Sequence, residues 1–288
     1  MLQLLCNINR MMLCLLFLFS WNEAANCSPP PPPKRIISLA PAMTETLYSL
    51  GLGGRIVGVT NVCDRPEEAR NKQKIGGMAN PSLEVIVALK PDMVVMTREG
   101  NPKELVERLA GLRIKTYVFT ATRLDELPTA FRKMGEALGA REAAEHLAGR
   151  IEAAIKAPRG LKLHHGFAGG KKALFVIWPE PLIVAGPGTI IDDAMSISGL
   201  SNIAAEAKAP YPVISLETVI GRRPDLIIIG ASGNEMKNIA GTAKLLNRLG
   251  MLDAVRKGRI CYVGDSLYRP GPRILAGIAE LEQCTKMP

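Results

Sequence analysis

Two glutamates hold matching positions in an internal repeat of the sequence. Glu84 follows Ser82-Leu83 and Glu217 follows Ser215-Leu216, a spacing of 133 residues that continues without a gap through both copies. A serine at this position caps a helix, and a carboxylate in the first turn is favoured by the helix dipole by about 0.3–1 kcal/mol. Helix stabilisation alone could explain these residues. An exposed carboxylate can also form a bidentate pair with a guanidinium group of a partner.

A glycine-rich turn offers a second kind of chemistry. Gly186-Pro187-Gly188-Thr189 opens a predicted helix, with Thr189 as its cap and Asp192 as the reciprocal capping partner. The free N–H groups of such a turn can bind ligand carbonyls or an anion, although a purely structural helix start is equally compatible with the pattern. The turn lacks the Gly-Lys-Ser/Thr ending of a phosphate loop.

Catalysis and binding of a bare metal are disfavoured. The three histidines, His146, His164 and His165, lie in a predicted helix and a predicted loop, away from strand ends, and form no set of nucleophile, base and orienting group. The glycine cluster Gly51-Leu52-Gly53-Gly54 follows a helix, whereas a dinucleotide-binding loop follows a strand. An α/β dinucleotide-dependent enzyme is therefore only a remote alternative.

The composition indicates a globular protein. The chain has 288 residues, of which 47% are hydrophobic and 5% aromatic, and a formal net charge of +9. This length suggests about two domains. The basic residues are spread along the chain and few aromatic residues accompany them, so we expect no nucleic-acid partner.

The N-terminus has the pattern of an export signal. Arg10 precedes a short apolar run over residues 11–19, which is too short to span a bilayer but suits a signal peptide over residues 1–27. Cys27 is a candidate lipidation site, although Asn26 before it fits that motif poorly. Five prolines follow in a predicted linker over residues 28–34, which disfavours a buried core helix.

Beyond the linker, strands alternate with helices. The βαβα order predicts a mainly parallel sheet with helices on its faces, and the repeat predicts two equivalent lobes, residues 35–123 and 159–288. Between them, residues 124–158 are helix formers interrupted only by Gly139, so we expect a helical connection that permits only a small hinge motion.

The cysteines of an exported protein can form one disulfide, but their spacing in the sequence does not show which two pair.

The chain resembles a known family in an ordered set of motifs that covers residue 34 to the C-terminus. These motifs are Arg35-Ile36-Ile37-Ser38-Leu39-Ala40-Pro41, Thr44-Glu45, Val57-Gly58-Val59-Thr60, Gly76-Gly77-Met78-Ala79-Asn80-Pro81-Ser82-Leu83-Glu84, Ile86-Val87-Ala88-Leu89-Lys90-Pro91-Asp92, Ala185-Gly186-Pro187-Gly188-Thr189 and Tyr211-Pro212-Val213-Ile214-Ser215-Leu216-Glu217. Together they resemble the helical-backbone periplasmic binding proteins of cobalamin, siderophore and haem ABC importers, and within these the cobalamin-binding branch. The resemblance implies an α/β fold of two Rossmann-like lobes joined by one long helix, with ligand in the cleft and no catalysis.

The resemblance also implies a set of ligand-binding positions. Trp178 matches an aromatic wall, Asp265 and Arg269 match polar rim contacts, and Met78 and Thr97 stand where relatives place large aromatics. The full set of implied ligand-binding residues is Met43, Arg65, Met78, Ala79, Asn80, Thr97, Arg98, Trp178, Gly188, Asp265, Ser266 and Arg269. Tyr211 could also reach the cleft, but a tyrosine before proline is more often a packing residue.

The implied function is a periplasmic solute-binding protein that delivers cobalamin or another corrinoid to an ABC permease dimer. Glu84 and Glu217 would dock on arginines of the two permease subunits. The protein would act as a monomer, without an intrinsic cofactor, and would contact the membrane only through the permease or a lipid on Cys27. Capture of an iron-siderophore or haem is the alternative within the same family, and anionic siderophores would favour Arg65, Arg98 and Arg269.

Overall fold

The computed structural model describes residues 31–157, 170–230 and 239–288, and residues 33–288 group into one unit. The expected signal peptide, the candidate lipidation site Cys27 and the His164-His165 pair lie outside the described residues. The expectations about export and lipidation therefore stay predictions.

The N-terminal lobe is built on a parallel four-stranded sheet. Its strands are β1 (Ile36–Ser38), β2 (Ile56–Val59), β3 (Met93–Thr97) and β4 (Lys115–Phe119), in the order β2-β1-β3-β4. Its helices are α1 (Pro41–Ser49), α2 (Leu83–Ala88) and α3 (Glu104–Gly111). Neighbouring residues of β3 enter different clusters, since Val95 packs with Met43 of α1 and Val94 packs with Ile86 of α2. The sheet is thus buried on both faces, as parallel sheets require.

The C-terminal lobe has a mixed five-stranded sheet. Its strands are β5 (Lys171–Pro179), β6 (Leu182–Val184), β7 (Leu200–Asn202), β8 (Leu226–Gly230) and β9 (Ile260–Val263), in the order β6-β5-β8-β9, with β7 also pairing with β5. Only β6 is antiparallel among these described pairs. The helices of this lobe are α6 (Ile190–Ile197), α7 (Leu216–Arg222), α8 (Ile239–Arg248), α9 (Asp253–Arg256) and α10 (Ile274–Thr285).

The connection between the lobes differs from the single long helix that was expected. It contains two helices, α4 (Leu127–Leu138) and α5 (Arg141–Lys156), because Gly139 adopts a left-handed conformation with φ of 70° and ends α4. The helices pack side by side, since Arg132 of α4 forms ion pairs with both Glu145 and Glu152 of α5. The predicted α/β fold with two lobes is confirmed.

The internal repeat is visible in the backbone. Ser82 and Ser215 cap α2 and α7 by accepting hydrogen bonds from N–H groups three residues later, at 3.3 and 3.2 Å. Lys90 and Arg223, at the same spacing of 133 residues, are both non-glycine residues with positive φ, 45° and 49°. Such residues are uncommon, so their equivalence supports two lobes with the same local design.

Two local features bear on the predictions from the sequence. The pattern of an apolar strand, a proline turn and Thr44 predicts a helix that starts at Thr44 with its hydroxyl as the cap, whereas helix α1 begins at Pro41 and Thr44 lies inside it, where its hydroxyl donates to Ser38 Oγ at 2.8 Å. The disulfide joins Cys261 of β9 to Cys284 of α10, with a Cα–Cα distance of 5.7 Å. It therefore ties the C-terminal helix to the edge of the second sheet.

Candidate functional site

A cavity of about 470 Å³ opens between the two lobes. On the N-terminal side it is formed by the segments that follow β1, β2, β3 and β4, and on the C-terminal side by the segments before α7 and after β9. The carboxyl ends of parallel strands are the usual place for ligands in α/β folds. The residues that line the cavity are Ala40, Pro41, Ala42, Val62, Met78, Thr97, Arg98, Glu99, Gly100, Phe119, Thr120, Ala121, Thr122, Tyr211, Tyr268, Arg269 and Pro270.

Four of the implied ligand-binding residues line this cavity: Met78, Thr97, Arg98 and Arg269. Met78 and Thr97 are held by Asn101, a buried residue that the sequence did not single out. The Asn101 amide donates to Met78 O at 3.0 Å, and its oxygen accepts from Thr97 N at 2.9 Å. Asn101 thus positions one wall of the cavity.

Trp178 and Met43 do not line the cavity. Trp178 lies at the end of β5 in its antiparallel pairing with β6, where the indole N–H donates to the carbonyl of Glu180 at 2.8 Å. Met43 is fully buried in the hydrophobic core beneath α1. The Trp178 indole is thus held within a hairpin and the Met43 side chain within the core.

Four more implied residues lie outside the cavity lining. Arg65 is exposed just before Pro66, and Ala79 and Asn80 are exposed in the turn that precedes α2. Gly188 has a φ of 75°, which positions Thr189 to cap α6 by accepting from Asp192 N at 3.1 Å. The predicted threonine cap is thus confirmed. The Asp192 carboxylate, predicted as the reciprocal capping partner, instead accepts a hydrogen bond from the Asn202 amide at 2.8 Å.

Asp265 and Ser266 lie behind the cavity wall. Both are buried, and both bind Arg273, which donates to Asp265 Oδ1 at 2.8 Å and to Ser266 Oγ at 3.2 Å. Burial would raise the pKa of Asp265, but the hydrogen bond from Arg273 and the charge of Arg269 outweigh it and hold that pKa below its usual range. Asp265 is therefore ionised and supports Arg269 from behind.

The aromatic walls are Tyr211, Tyr268 and Phe119. Tyr211 lies at the mouth of the cavity, where its partial burial together with the negative charge of Glu99 raises the pKa of its hydroxyl to about 12. It therefore stays a protonated hydrogen-bond donor. Tyr268 packs edge-on against Phe175, with ring centroids 6.0 Å apart. The sequence left open whether Tyr211 reaches the cavity. It did not single out Tyr268 or Phe119, because no local pattern marks these two residues.

Glu84 and Glu217 are both exposed at the second position of a helix. Each carboxylate is held by its own backbone N–H and by the capping serine, and these hydrogen bonds keep the pKa of both glutamates below the usual range. An arginine adds positive charge near each, Arg108 of α3 beside Glu84 and Arg248 of α8 beside Glu217. The two lobes thus present similar charged sites.

No group of histidine, cysteine, aspartate and glutamate side chains suited to holding a metal ion occurs among the described residues. None of the described helices is long and apolar enough to cross a membrane.

Comparison with known proteins agrees with this geometry. The family model described as "Periplasmic binding protein" matches residues 36–267. A vitamin B12-binding protein of Pectobacterium carotovorum is 32% identical over 211 residues, which is 72% of this chain and 75% of the relative. A vitamin B12-binding protein of Vibrio campbellii is 29% identical over 275 residues, which is 95% of this chain and 96% of the relative.

Solved structures show the same fold. The periplasmic vitamin B12 binding protein BtuF of Vibrio cholerae superposes with a TM-score of 0.73 at 25% identity, over 88% of this chain and 97% of that one. The periplasmic heme-binding protein RhuT from Roseiflexus sp. RS-1 superposes with a TM-score of 0.75 at 26% identity, over 88% and 99% of the two chains.

Proposed function

The chain belongs to the periplasmic binding protein family and serves ABC import as a substrate-binding protein, and from this premise we propose that its ligand is a corrinoid such as cobalamin. The observation that carries the proposal is the interlobe cavity, where aromatic and apolar walls meet a small number of polar groups. A flat macrocycle packs on Tyr211, Tyr268 and Met78, and its amide rim meets Thr97 and Arg269. Pockets for organic ligands have this mixture of apolar walls and a few polar groups.

The finer features of the function belong to the same proposal. The protein acts by binding alone, as a monomer in the periplasm. It releases its ligand to a permease dimer on which Glu84 and Glu217 dock. The proposal is supported by the equivalence of these glutamates in the two lobes and by their exposure at helix starts.

Haem or a ferric siderophore is the second candidate ligand. It is favoured by Arg98, an exposed arginine on the cavity rim that could pair with a ligand carboxylate, and by the fold shared with a heme-binding relative. A direct comparison of ligands separates the two candidates.

We expect isothermal titration calorimetry of the mature protein to give a dissociation constant for cyanocobalamin in the nanomolar to micromolar range, about −8 to −12 kcal/mol. Haem and a ferric siderophore should bind much more weakly. Tighter binding of either than of cyanocobalamin would contradict the corrinoid assignment.

The walls of the cavity can be tested with three aromatic substitutions. Tyr211→Ala should weaken cyanocobalamin binding by roughly tenfold, since an aromatic contact contributes about 0.5–1.5 kcal/mol beyond its area. Tyr262→Ala is the matched control, because Tyr262 is 62% exposed on β9 and does not line the cavity. Trp178→Phe should leave the affinity unchanged. A large loss from Trp178→Phe, with none from Tyr211→Ala, would place the ligand elsewhere.

A further inference from the structure

Five charged side chains meet where the two lobes touch beside the cavity. We call them the interlobe clasp, and they are Glu45, Asp64, Asp265, Arg269 and Arg273. Glu45 and Asp64 come from the N-terminal lobe, and the other three come from the C-terminal lobe. Among the five, Arg269 lines the cavity. Two guanidinium groups thus face three carboxylates.

The terminal nitrogens of Arg269 are occupied by these carboxylates. Its Nη2 lies 2.9 Å from Asp265 Oδ2, and its Nη1 lies 3.0 Å from Glu45 Oε1 and 3.5 Å from Asp64 Oδ1. The Arg269 side chain is only 16% exposed. The charge-assisted bonds to Asp265 and Glu45, at 2.9 and 3.0 Å, are strong, so the guanidinium is fixed and its charge is offset before any ligand arrives.

Glu45 is the centre of the clasp. It projects from α1 with a side chain that is 7% exposed, and Arg273 binds it in a bidentate manner, at 2.7 Å from Nε and 3.0 Å from Nη2. Burying a carboxylate this deeply costs desolvation free energy, which pairing with a cation offsets. Glu45 is paired to Arg269 and Arg273 of the C-terminal lobe. The N-terminal lobe therefore fixes the position of Arg269, the side chain that the C-terminal lobe presents to the ligand.

The other charged residues of the cavity lining cancel in formal charge. Apart from Arg269, the charged residues that line it in the described chain are Arg98 and Glu99, which carry opposite charges. A ligand carboxylate at the Arg269 wall would meet a guanidinium whose positive charge is already offset by carboxylates. Beside it lies the half-exposed Asp64. An uncharged amide can instead donate to the free lone pairs of such a carboxylate.

We propose that Glu45 is a specificity-determining, positioning residue that holds Arg269 neutralised, so that the cavity selects uncharged amide groups over carboxylates on otherwise similar ligands. This inference rests on the proposed function, since it concerns the rim of a corrinoid. It assigns the discrimination to a residue that does not line the cavity.

The test uses two probes that differ in one group. Cyanocobalamin has amide side chains on its corrin rim, and its monocarboxylic acid derivatives have one of these amides hydrolysed. We expect the wild-type protein to bind the amide form more tightly by calorimetry at neutral pH. Glu45→Gln should weaken binding of cyanocobalamin by about tenfold, or about 1.4 kcal/mol. The same variant should strengthen binding of at least one carboxylate derivative, because Arg269 then loses one of the carboxylates that offset its charge and keeps only Asp265 and Asp64.

Opposite shifts for the two probes separate this role from a structural one, since damage to the fold would weaken binding of both. Asp64→Asn is the second variant, because Asp64 is 49% exposed and its removal spares the buried pairs. It should shift the preference in the same direction. Glu136→Gln changes the net charge equally on the exposed surface of α4 and should change neither affinity.

The outcomes distinguish the two proposals. If the wild-type protein does not bind cyanocobalamin, the proposed function fails and this inference fails with it. If cyanocobalamin binds but neither Glu45→Gln nor Asp64→Asn improves the relative binding of a carboxylate derivative, the corrinoid function stands and the inference is overturned. Equal effects from Glu136→Gln would also overturn it, because the cause would then be net charge.

Discussion

Individual carboxylates in this protein have sharply different surroundings, and their surroundings indicate their roles. Glu45 and Asp265 are buried and bound to arginines between the lobes, whereas Glu84 and Glu217 are exposed at helix starts. A buried ionised pair fixes geometry at a cost in desolvation. An exposed carboxylate keeps its hydration and remains available to a partner, which suits a contact that must form and dissociate in every transport cycle.

We expect Glu84→Ala combined with Glu217→Ala to abolish uptake while the dissociation constant for cyanocobalamin stays near the wild-type value. Neither glutamate lines the cavity, so removing them deletes the charges that we assign to permease docking and leaves the cavity lining unchanged. Transport of labelled cyanocobalamin into cells, beside calorimetry on the purified variant, measures both quantities. The pKa of each glutamate lies below its usual range, so the docking charges persist as the pH falls from 8 to 5.

Glu142→Ala combined with Asp253→Ala is the matched control, because both residues are exposed in the first turns of other helices. This control should transport normally. A parallel loss of ligand affinity in the Glu84 and Glu217 variant would contradict the docking role.

Some site residues could be predicted from the sequence and others could not. Met78, Thr97 and Arg269, which the resemblance names among the ligand-binding residues, all line the cavity. Thr97 ends β3 and Arg269 follows β9, so the order of strands in the fold sets the placement of these two. Trp178 was the strongest aromatic candidate, yet its indole is bound to the carbonyl of Glu180 within a hairpin. The orientation of a side chain at a strand end depends on neighbours that are distant in the sequence, so the motif alone could not decide it.

At the scale of elements, local signals predicted helices and strands well because capping and burial patterns are local. Ser82, Thr189 and Ser215 all cap helices as expected. The helical connection was harder to predict, since helix propensity alone cannot tell whether Gly139 bends a helix or ends it. Its left-handed conformation ends α4 and lets α5 pack beside it.

The contact between α4 and α5 predicts opposite effects for two glycine substitutions. A Cβ added at Gly135 of α4 would lie 2.2 Å from Ala144 Cβ and 2.9 Å from Ala140 O, so Gly135→Ala should lower the free energy of unfolding by forcing the helices apart. Gly149 of α5 has nothing within 4 Å of the same position. Gly149→Ala should therefore raise the free energy of unfolding by up to about 1 kcal/mol, as in an open helix. Urea unfolding of both variants is the measurement, and the same sign at both positions would contradict this packing.

At the scale of the whole molecule, the two lobes are tied together at more than one place near the cavity. The interlobe clasp is one, and the second joins Arg123, which follows β4, to Asp193 of α6. The Arg123 Nη2 lies 2.6 Å from Asp193 Oδ1, and the N–H of Leu124 donates to the same carboxylate at 2.9 Å. A Cβ added at Gly271 would lie 3.3 Å from Ala42 O, so the backbones of the lobes also approach closely. These contacts hold the two lobes together beside the cavity.

We therefore expect ligand binding to change the distance between the lobes very little. Nitroxide labels at Leu112→Cys in the first lobe and Met251→Cys in the second can report this distance, because both side chains are exposed, at 48% and 67%. The mean of the distance distribution should stay the same when cyanocobalamin is added.

Arg123→Met should broaden the distribution of distances between the labels, since it removes one ion pair that joins the lobes. Arg132→Met removes ion pairs within the α4–α5 pair only and should leave the width unchanged. A large ligand-induced shift in the labelled wild-type protein would show that these contacts open during the binding cycle.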